Sequence, residues 1–255
     1  MRTKLTILCS LAALALPAPA LAVVGGSAVQ SGRYGFTVAV GGAQGADCGG
    51  TLIAPSVVLT AAHCVADEAA KPWKLRVTAG SRTHSDAPTV GVASVALHPL
   101  FRAATMRYDA ALLFLEHPVS GVRTIALADS SPLAGAKVSA AGWGETSEGA
   151  TTLPDRLRSV VLTVDAKHAC GRGNRIPGGY FAPSMMCAGN AGRDTCAGDS
   201  GGPLVGSSHG HAVLVGITSF GFGCARAGHP GVYTRVPSVR GWALGEMART
   251  LAPPA

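Results

Sequence analysis

Residues 194–203 form the most informative stretch of the chain, DTCAGDSGGP, in which one serine stands between an aspartate and two glycines. Glycines of this kind let the backbone turn sharply and approach a ligand closely. The serine, Ser200, is therefore a candidate nucleophile, although a plain glycine-rich loop would have the same composition. The stretch indicates a site only if a base and an acid for that serine occur elsewhere in the chain.

Two further motifs supply these groups. Residues 60–64, TAAHC, place His63 beside a cysteine, and residues 108–113, YDAALL, place Asp109 before an apolar run. Taken singly, each of these residues would more often have a structural role. Together with Ser200 they fit one chemistry, because a serine hydroxyl needs a base and that base needs an acid to hold its tautomer. The sequence therefore predicts a nucleophilic triad.

Length and composition limit the class of protein. The chain has 255 residues, 47% of them hydrophobic and 14% charged, so it can bury a full core and is too apolar to stay unfolded. Its net charge of +7 is diluted, with no run of Lys or Arg longer than a pair. We therefore expect a solvated basic surface and not a nucleic-acid groove. No Cys-x-x-Cys pair occurs, which argues against zinc, and the alternate histidines His209 and His211 fit a hairpin turn better than a metal site.

The start of the chain has the pattern of a secretory signal. Residues 1–22 combine two early positive charges, an apolar run and a small-x-small ending. No later stretch approaches the roughly 18 apolar residues that a membrane-spanning helix needs. We therefore predict a mature chain that begins at Val23 and is secreted, either to a periplasm or to the medium.

Short runs rich in Val, Ile, Leu and Thr, separated by Gly, Pro, Ser and Asp, predict an all-β protein. Near the end, Ser238 is expected to cap a helix with an apolar stripe that includes Val239 and Ala243. Residues 128–135 are a candidate linker between two halves. The predicted strands are 36–40, 52–53, 57–60, 110–115, 137–141, 160–164, 212–218 and 231–235.

With several other segments in the same order, these motifs resemble the trypsin-like serine proteases of the chymotrypsin fold. The resemblance spans residues 23–250 and implies two six-stranded antiparallel β-barrels, an active site in the cleft between them and a C-terminal helix. His63 and Asp109 would come from the first barrel and Ser200 from the second, and no cofactor is expected. The additional segments are VVGG at 23–26, GWG at 142–144, SFG at 219–221 and PGVYT at 230–234.

The resemblance also implies which residues bind the substrate. The amides of Gly198 and Ser200 would form the oxyanion hole, and Asp194 would lie at the bottom of the primary pocket. A buried carboxylate attracts a cationic side chain, so cleavage after Arg or Lys is expected. A surface-turn role for Asp194, with a chymotrypsin-like or elastase-like preference, is the alternative. The other pocket residues would be Thr195, Ser219, Gly221 and Gly231.

Activation is expected to depend on the free amine of Val23, which in this family pairs with the acid before the nucleophile, here Asp199. No Arg or Lys precedes Val23, so signal peptidase is expected to create this amine directly unless Leu21 and Ala22 remain to be trimmed. Six cysteines of the mature chain allow fifteen pairings, as their number alone dictates. The resemblance selects Cys48 with Cys64, Cys170 with Cys187, and Cys196 with Cys224.

The expected partners are polypeptides with Arg or Lys at the cleaved bond, and protein inhibitors of proteases. The protein is expected to be a monomer that binds neither nucleic acid nor a membrane. Residues 80–88 offer a single acid, Asp86, so the calcium site of many animal relatives is not expected. A silent binding module on the same fold is the other function considered. It is disfavoured because the triad and the oxyanion glycine are all present.

Overall fold

The structure, a computed structural model, describes residues 23–30, 32–42, 45–79, 88–166, 170 and 179–252. The predicted signal peptide and Asp86 lie outside the described residues. The strands are β1 Ser27–Ala28, β2 Thr37–Gly42, β3 Gly45–Ala54, β4 Val57–Thr60, β5 Arg76–Thr78, β6 Thr89–Leu97, β7 Ala111–Leu115, β8 Ala126–Leu127, β9 Lys137–Gly142, β10 Arg158–Val164, β11 Met185–Gly189, β12 Pro203–Ser208, β13 His211–Phe220 and β14 Gly231–Arg235, followed by the helix α1 Val236–Thr250.

The first barrel closes in the order β2-β3-β4-β7-β6-β5. Strands β4 and β7 are buried at every position, which agrees with their sequences VVLT and ALLFL, in which every residue is apolar or β-branched. A glycine on β3 makes room for this core, because a Cβ at Gly50 would lie 2.6 Å from Cγ1 of Val58. The barrel is thus a packed core that holds its strand ends in fixed positions.

The second barrel contains β9, β10, β11, β14, β13 and β12, with β12 returning to β9. Strand β1 extends it by pairing with β10, and β8 pairs in parallel with β13. The start of the described chain and the short strand β8, which precedes the predicted linker at residues 128–135, are therefore both attached to this barrel. The predicted architecture of two six-stranded antiparallel barrels and a C-terminal helix is confirmed.

The capping prediction for α1 is wrong. The helix begins at Val236, with Arg235 at the N-cap position, and the Ser238 hydroxyl donates a hydrogen bond to the Arg235 carbonyl at 2.6 Å. Pro237 falls inside the first turn, where its missing N–H costs no hydrogen bond, so the helix can start before it. The predicted apolar stripe does face the protein at Val239 and Ala243, which are fully buried. No helix among the described residues has the length and apolar character needed to span a membrane.

Three disulfides join the cysteines in the pairing that the resemblance implied. Cys48–Cys64 ties β3 to the short 3-10 helix Ala62–Cys64, which carries His63. Cys196–Cys224 joins the loop before Ser200 to the loop after β13, and Cys170–Cys187 anchors β11. The two cysteines of each disulfide are 16, 17 and 28 positions apart in the sequence, in the order Cys48–Cys64, Cys170–Cys187 and Cys196–Cys224. On the chain-entropy model each contributes about 3 kcal/mol.

Candidate active site

His63 and Asp109 meet because they follow and precede neighbouring strands. Thr60 at the end of β4 pairs with Ala111 at the start of β7, so residues just outside this pair lie close together. The Nδ1 atom of His63 lies 2.7 Å from Oδ2 of Asp109, and the His63 amide donates to Oδ1 at 2.9 Å. Since a carboxylate only accepts, this contact puts the proton of a neutral ring on Nδ1 and leaves Nε2 as the free base.

The second barrel also holds Asp109. The Ser219 hydroxyl donates to Oδ2 at 2.5 Å, and the Thr234 hydroxyl donates to the Asp109 carbonyl at 2.9 Å. Ser219, which the sequence analysis assigned to the substrate pocket, lines the cavity shared by His63 and Ser200, and its hydroxyl also holds Asp109. Sequence reasoning missed Thr234, whose side chain carried no signal beyond its place in the PGVYT segment. The side chain of Asp109 is fully buried, and 23% of the His63 side chain is exposed, so the imidazole is the accessible end of the pair.

Ser200 stands on a turn that both barrels hold. Its carbonyl accepts a hydrogen bond of 2.6 Å from the Gly49 amide of β3, and the Gly201 amide donates to Thr218 of β13 at 2.7 Å. Gly201 has φ +80°, and a Cβ there would overlap the side chain of Thr60. Glycine is thus required at this position for both conformation and space.

Ser200 and His63 line one cavity of about 340 Å³. Among the described contacts, no hydrogen bond joins the Ser200 hydroxyl to His63, whose Nε2 lies 3.7 Å from Sγ of Cys64. Catalytic hydrogen bonds are often long in an enzyme without substrate and tighten when the substrate binds. The structure thus brings the serine and the histidine to one cavity and hydrogen-bonds the histidine to the aspartate.

The turn at Ser200 carries two amides that have no described hydrogen-bond acceptor. Gly198 has φ +88°, and a Cβ there would lie 3.0 Å from Cα of Gly144. In the part of the chain that the structure describes, the amides of Gly198 and Ser200 donate to no other backbone group or side chain. Two unpaired amides on one tight turn are suited to an oxygen that acquires negative charge.

Asp199 is a buried carboxylate without a cation among the described residues. It is 1% exposed and accepts hydrogen bonds of 2.9 Å from the amides of Gly144 and Cys196. Burial raises the pKa of Asp199 to about 7 despite these two amides. Val23 is fully buried in the second-barrel core, and no ion pair or hydrogen bond joins it to Asp199 in the described structure.

Asp194 lines the cavity that contains His63 and Ser200, and it is 2% exposed. The amides of Thr195 and Ala225 donate to its two oxygens at 2.9 and 3.2 Å. Burial raises the pKa of Asp194 to about 7, the amides lower it, and the nearby charge of Asp199 raises it further.

Glycines keep the approach to Asp194 open. A Cβ at Gly231 would lie 2.7 Å from Oδ1 of Asp194, and Gly221 lines the same cavity. Thr195 also lines it, with its hydroxyl 3.1 Å from the buried phenol of Tyr233, a neighbour that sequence reasoning did not identify. The cavity therefore offers a buried carboxylate to a side chain that enters it from beside Ser200.

Cys48, His63 and Cys64 have potential ligand atoms within 4.8 Å of one another. The two sulfurs are bonded to each other, so neither is a thiolate that could hold a metal. This cluster is therefore a disulfide beside a histidine.

Comparison with known proteins gives one consistent result. The family model described as Trypsin matches residues 23–243. The chain is 34% identical to Trypsin delta of Drosophila melanogaster over 225 residues, and this match covers 87% of each protein. It is also 34% identical to Trypsin beta of Drosophila erecta over 225 residues, again 87% of each. Trypsin alpha-4 of Lucilia cuprina is 35% identical over 225 residues, 87% of this chain and 86% of the relative.

Proposed function

Because the chain belongs to the trypsin family of serine endopeptidases, we propose that it cleaves polypeptides after Arg or Lys through the triad of His63, Asp109 and Ser200. The observation that carries the specificity is the buried carboxylate of Asp194 in the cavity shared by His63 and Ser200. A carboxylate in such a slot gains from pairing with a cation and penalises an apolar side chain that leaves it unpaired.

The chemistry proceeds in two halves. Nε2 of His63 takes the proton of the Ser200 hydroxyl as Oγ attacks the peptide carbonyl carbon, and Asp109 stabilises the imidazolium. The amides of Gly198 and Ser200 bind the oxyanion, and His63 then gives its proton to the departing amine. Water attacks the resulting ester with the same base, which releases the acid and restores Ser200. Asp109 stays ionised throughout.

We further propose that the free amine of Val23 pairs with Asp199 once residues 1–22 are removed. Asp199 is buried with a raised pKa and no described cation, so an ammonium group beside it would be strongly favoured. The next residue links the mature start to the pocket, because the Val24 carbonyl accepts a hydrogen bond of 3.2 Å from the Asp194 amide. Docking of the start would thus order the pocket that receives the substrate.

Secretion, a monomeric state and control by protein inhibitors complete the proposal. They rest on the signal-like pattern of residues 1–22 and on the family. A domain running from residue 23 to 250, with its halves divided near 128–135, is the organisation proposed for the mature enzyme.

The test is a digest of a denatured protein of known sequence, with every cleaved bond identified by mass spectrometry. The mature chain is expected to cut after Arg and Lys, and the matched Ser200→Ala variant is expected to leave the same substrate intact. Cuts predominantly after Phe, Tyr or Leu would overturn the role of Asp194. Equal cutting by Ser200→Ala would overturn the triad, and no cutting by correctly processed protein would favour a silent binding module.

A further inference from the structure

A buried histidine next to the first barrel contacts the chain on both sides of Asp109. His98 follows β6 and is 5% exposed. Its amide donates a hydrogen bond of 3.0 Å to the carbonyl of Ala110, and its ring stacks on Tyr108, the residue before Asp109. We propose that His98 is a positioning residue that fixes the direction of the Asp109 carboxylate by holding Tyr108 in its backbone conformation. This inference rests on the proposed function, because it concerns the triad.

The backbone of Tyr108 has an unusual conformation. Its φ is +51°, in the left-handed region that bulky side chains rarely adopt because of steric conflict with the backbone. Such a conformation persists only where the surrounding structure enforces it. The Tyr108 carbonyl accepts a hydrogen bond of 2.8 Å from the Ala110 amide, which closes a three-residue turn with Asp109 at its centre. A return of Tyr108 to negative φ would therefore change how the chain enters this turn, and with it the direction of the carboxylate.

Contacts between rings enforce this conformation. The rings of His98 and Tyr108 are nearly parallel, with an angle of 4° between their planes and 4.9 Å between their centroids. Trp242 of α1 packs edge-to-face on the same imidazole at 4.8 Å, and Phe181 packs edge-to-face on the Tyr108 ring at 6.0 Å. Rings in these arrangements attract one another beyond their burial of apolar area. The Tyr108 ring thus has two aromatic contacts, and the C-terminal helix supports the imidazole that provides one of them.

Hydrogen bonds hold both members of the stack. The Leu100 amide donates to Nδ1 of His98 at 3.2 Å, which puts the proton of the neutral ring on Nε2. Burial lowers the pKa of His98, so the ring stays neutral near neutral pH and keeps Nδ1 as an acceptor. The Tyr108 amide donates to the Ser184 hydroxyl at 3.2 Å. The imidazole is therefore a fixed surface on which the Tyr108 ring can pack.

The first test separates the ring of His98 from its hydrogen-bonding atom. His98→Asn keeps an acceptor close to the position of Nδ1 and removes the ring, whereas His98→Phe keeps a ring and removes the acceptor. With a chromogenic Arg amide, His98→Asn is expected to lower kcat about 10- to 100-fold, the effect of a misplaced catalytic group. KM is expected to stay nearly unchanged, because Asp194 is untouched. His98→Phe is expected to retain most of kcat.

The second test concerns the backbone of Tyr108. Glycine and alanine both remove the ring, but glycine adopts positive φ without steric cost and alanine does not. Tyr108→Gly is expected to retain most of kcat, and Tyr108→Ala to lose about as much as His98→Asn. The loss caused by His98→Asn should also disappear in the Tyr108→Gly background, because glycine needs no stacked ring to adopt this conformation.

Tyr34→Leu is the matched control for lost stability. Tyr34 and Phe36 form another aromatic pair just before β2, with centroids 6.0 Å apart, and neither residue lines the cavity of His63 and Ser200. This variant is expected to lower the midpoint of thermal unfolding and to leave kcat per folded enzyme unchanged. A loss of kcat equal to that of His98→Asn would show that destabilisation alone is sufficient, and would overturn the inference.

The remaining outcomes separate this inference from the proposed function. The inference is overturned if His98→Asn keeps full kcat, or if His98→Phe loses as much as His98→Asn. It is also overturned if Tyr108→Gly loses as much kcat as Tyr108→Ala, a comparison that decides the matter even if His98→Asn does not fold. A mature enzyme that cannot hydrolyse the Arg amide, or that Asp109→Asn leaves fully active, overturns the proposed function and the inference with it.

Discussion

The buried carboxylates of the two barrels are held differently. Asp109, next to the first barrel, accepts hydrogen bonds from the ring and the amide of His63 and from the Ser219 hydroxyl. Asp194 and Asp199, in loops of the second barrel, accept their described hydrogen bonds from backbone amides. Burial raises the pKa of both second-barrel groups to about 7.

The difference shows which part of the site is built in advance. Asp109 is already hydrogen-bonded to His63, so this pair forms without the substrate and without the amine of Val23. Each second-barrel aspartate has solvating amides and no described cation, and an unpaired buried carboxylate is costly to ionise. We infer that the cationic side chain of the substrate forms an ion pair with Asp194 and that the Val23 amine forms one with Asp199.

The largest effect is expected from Asp109→Asn. The asparagine amide would favour the wrong tautomer of His63, in which Nε2 is no longer the free base. We therefore expect kcat to fall about 10⁴-fold, a figure carried over from the same substitution in a related protease. KM for an Arg substrate should change little, because Asp194 is untouched. Steady-state kinetics on a chromogenic Arg amide measure both. In Ser219→Ala the carboxylate keeps its bond to His63, and a loss as large as that of Asp109→Asn would contradict the assignment.

A mature chain that retains Leu21 and Ala22 should be almost inactive. The Val23 nitrogen would then be an amide and could not neutralise Asp199, so the oxyanion hole would be poorly formed. The expected loss in kcat/KM is about 10²–10³-fold, comparable to removal of an oxyanion donor. Mass spectrometry of the start, paired with activity before and after an aminopeptidase removes the two residues, provides the measurement. Full activity of the extended chain would refute the Val23–Asp199 pair.

The affinity for a small aromatic amidine should depend on pH. The raised pKa of Asp194 means that protonation competes with the cation below about pH 7. Because the amidine binds the ionised carboxylate, its affinity should decline as pH falls, by up to about tenfold per pH unit. Competition assays with the matching neutral amide should show no comparable decline. Amidine binding that stays constant down to pH 5 would contradict this environment for Asp194.

A smaller effect is expected from the Glu148–Arg226 ion pair, which lies beside Cys224 at the wall of the Asp194 cavity. The Arg226 side chain makes two hydrogen bonds to Glu148, and Glu148 also accepts one from the Cys224 amide at 3.3 Å. Because the pair is exposed, Glu148→Gln should raise KM for an Arg substrate no more than about threefold. Glu246→Gln, which breaks a second Arg–Glu pair on α1, is the matched control. Equal kinetics of the two variants would show that the pocket pair has no positioning role.

The sequence predicted the fold and identified the candidate site residues because the motifs that contain them are local. The motifs around His63, Asp109 and Ser200 are short, and each places its residue next to a strand end or a tight turn. Strands β4 and β7 were evident because every position in them is apolar or β-branched. Their neighbours in the barrel then determine where the flanking residues meet.

Other elements were missed because their stability comes from pairing. Strand β11, MMCAG, has little β-propensity and is held between β10 and β14. Strand β12 begins with proline and ends with the small residues GSS, yet it pairs with β9 and β13. The Thr234–Asp109 bond joins residues 125 positions apart, a distance over which no local pattern is informative.

The most direct test of the proposed role of Asp194 measures kcat/KM for peptides with Arg or Phe at the cut bond, for the mature enzyme and for its Asp194→Asn variant. Loss of the buried charge partner predicts that the ratio of kcat/KM for Arg over Phe falls about 10³-fold. Turnover of the Phe peptide should persist, because the His63–Asp109 pair and Ser200 are unchanged. A ratio that Asp194→Asn leaves unaltered would contradict the claim that this carboxylate receives the substrate cation.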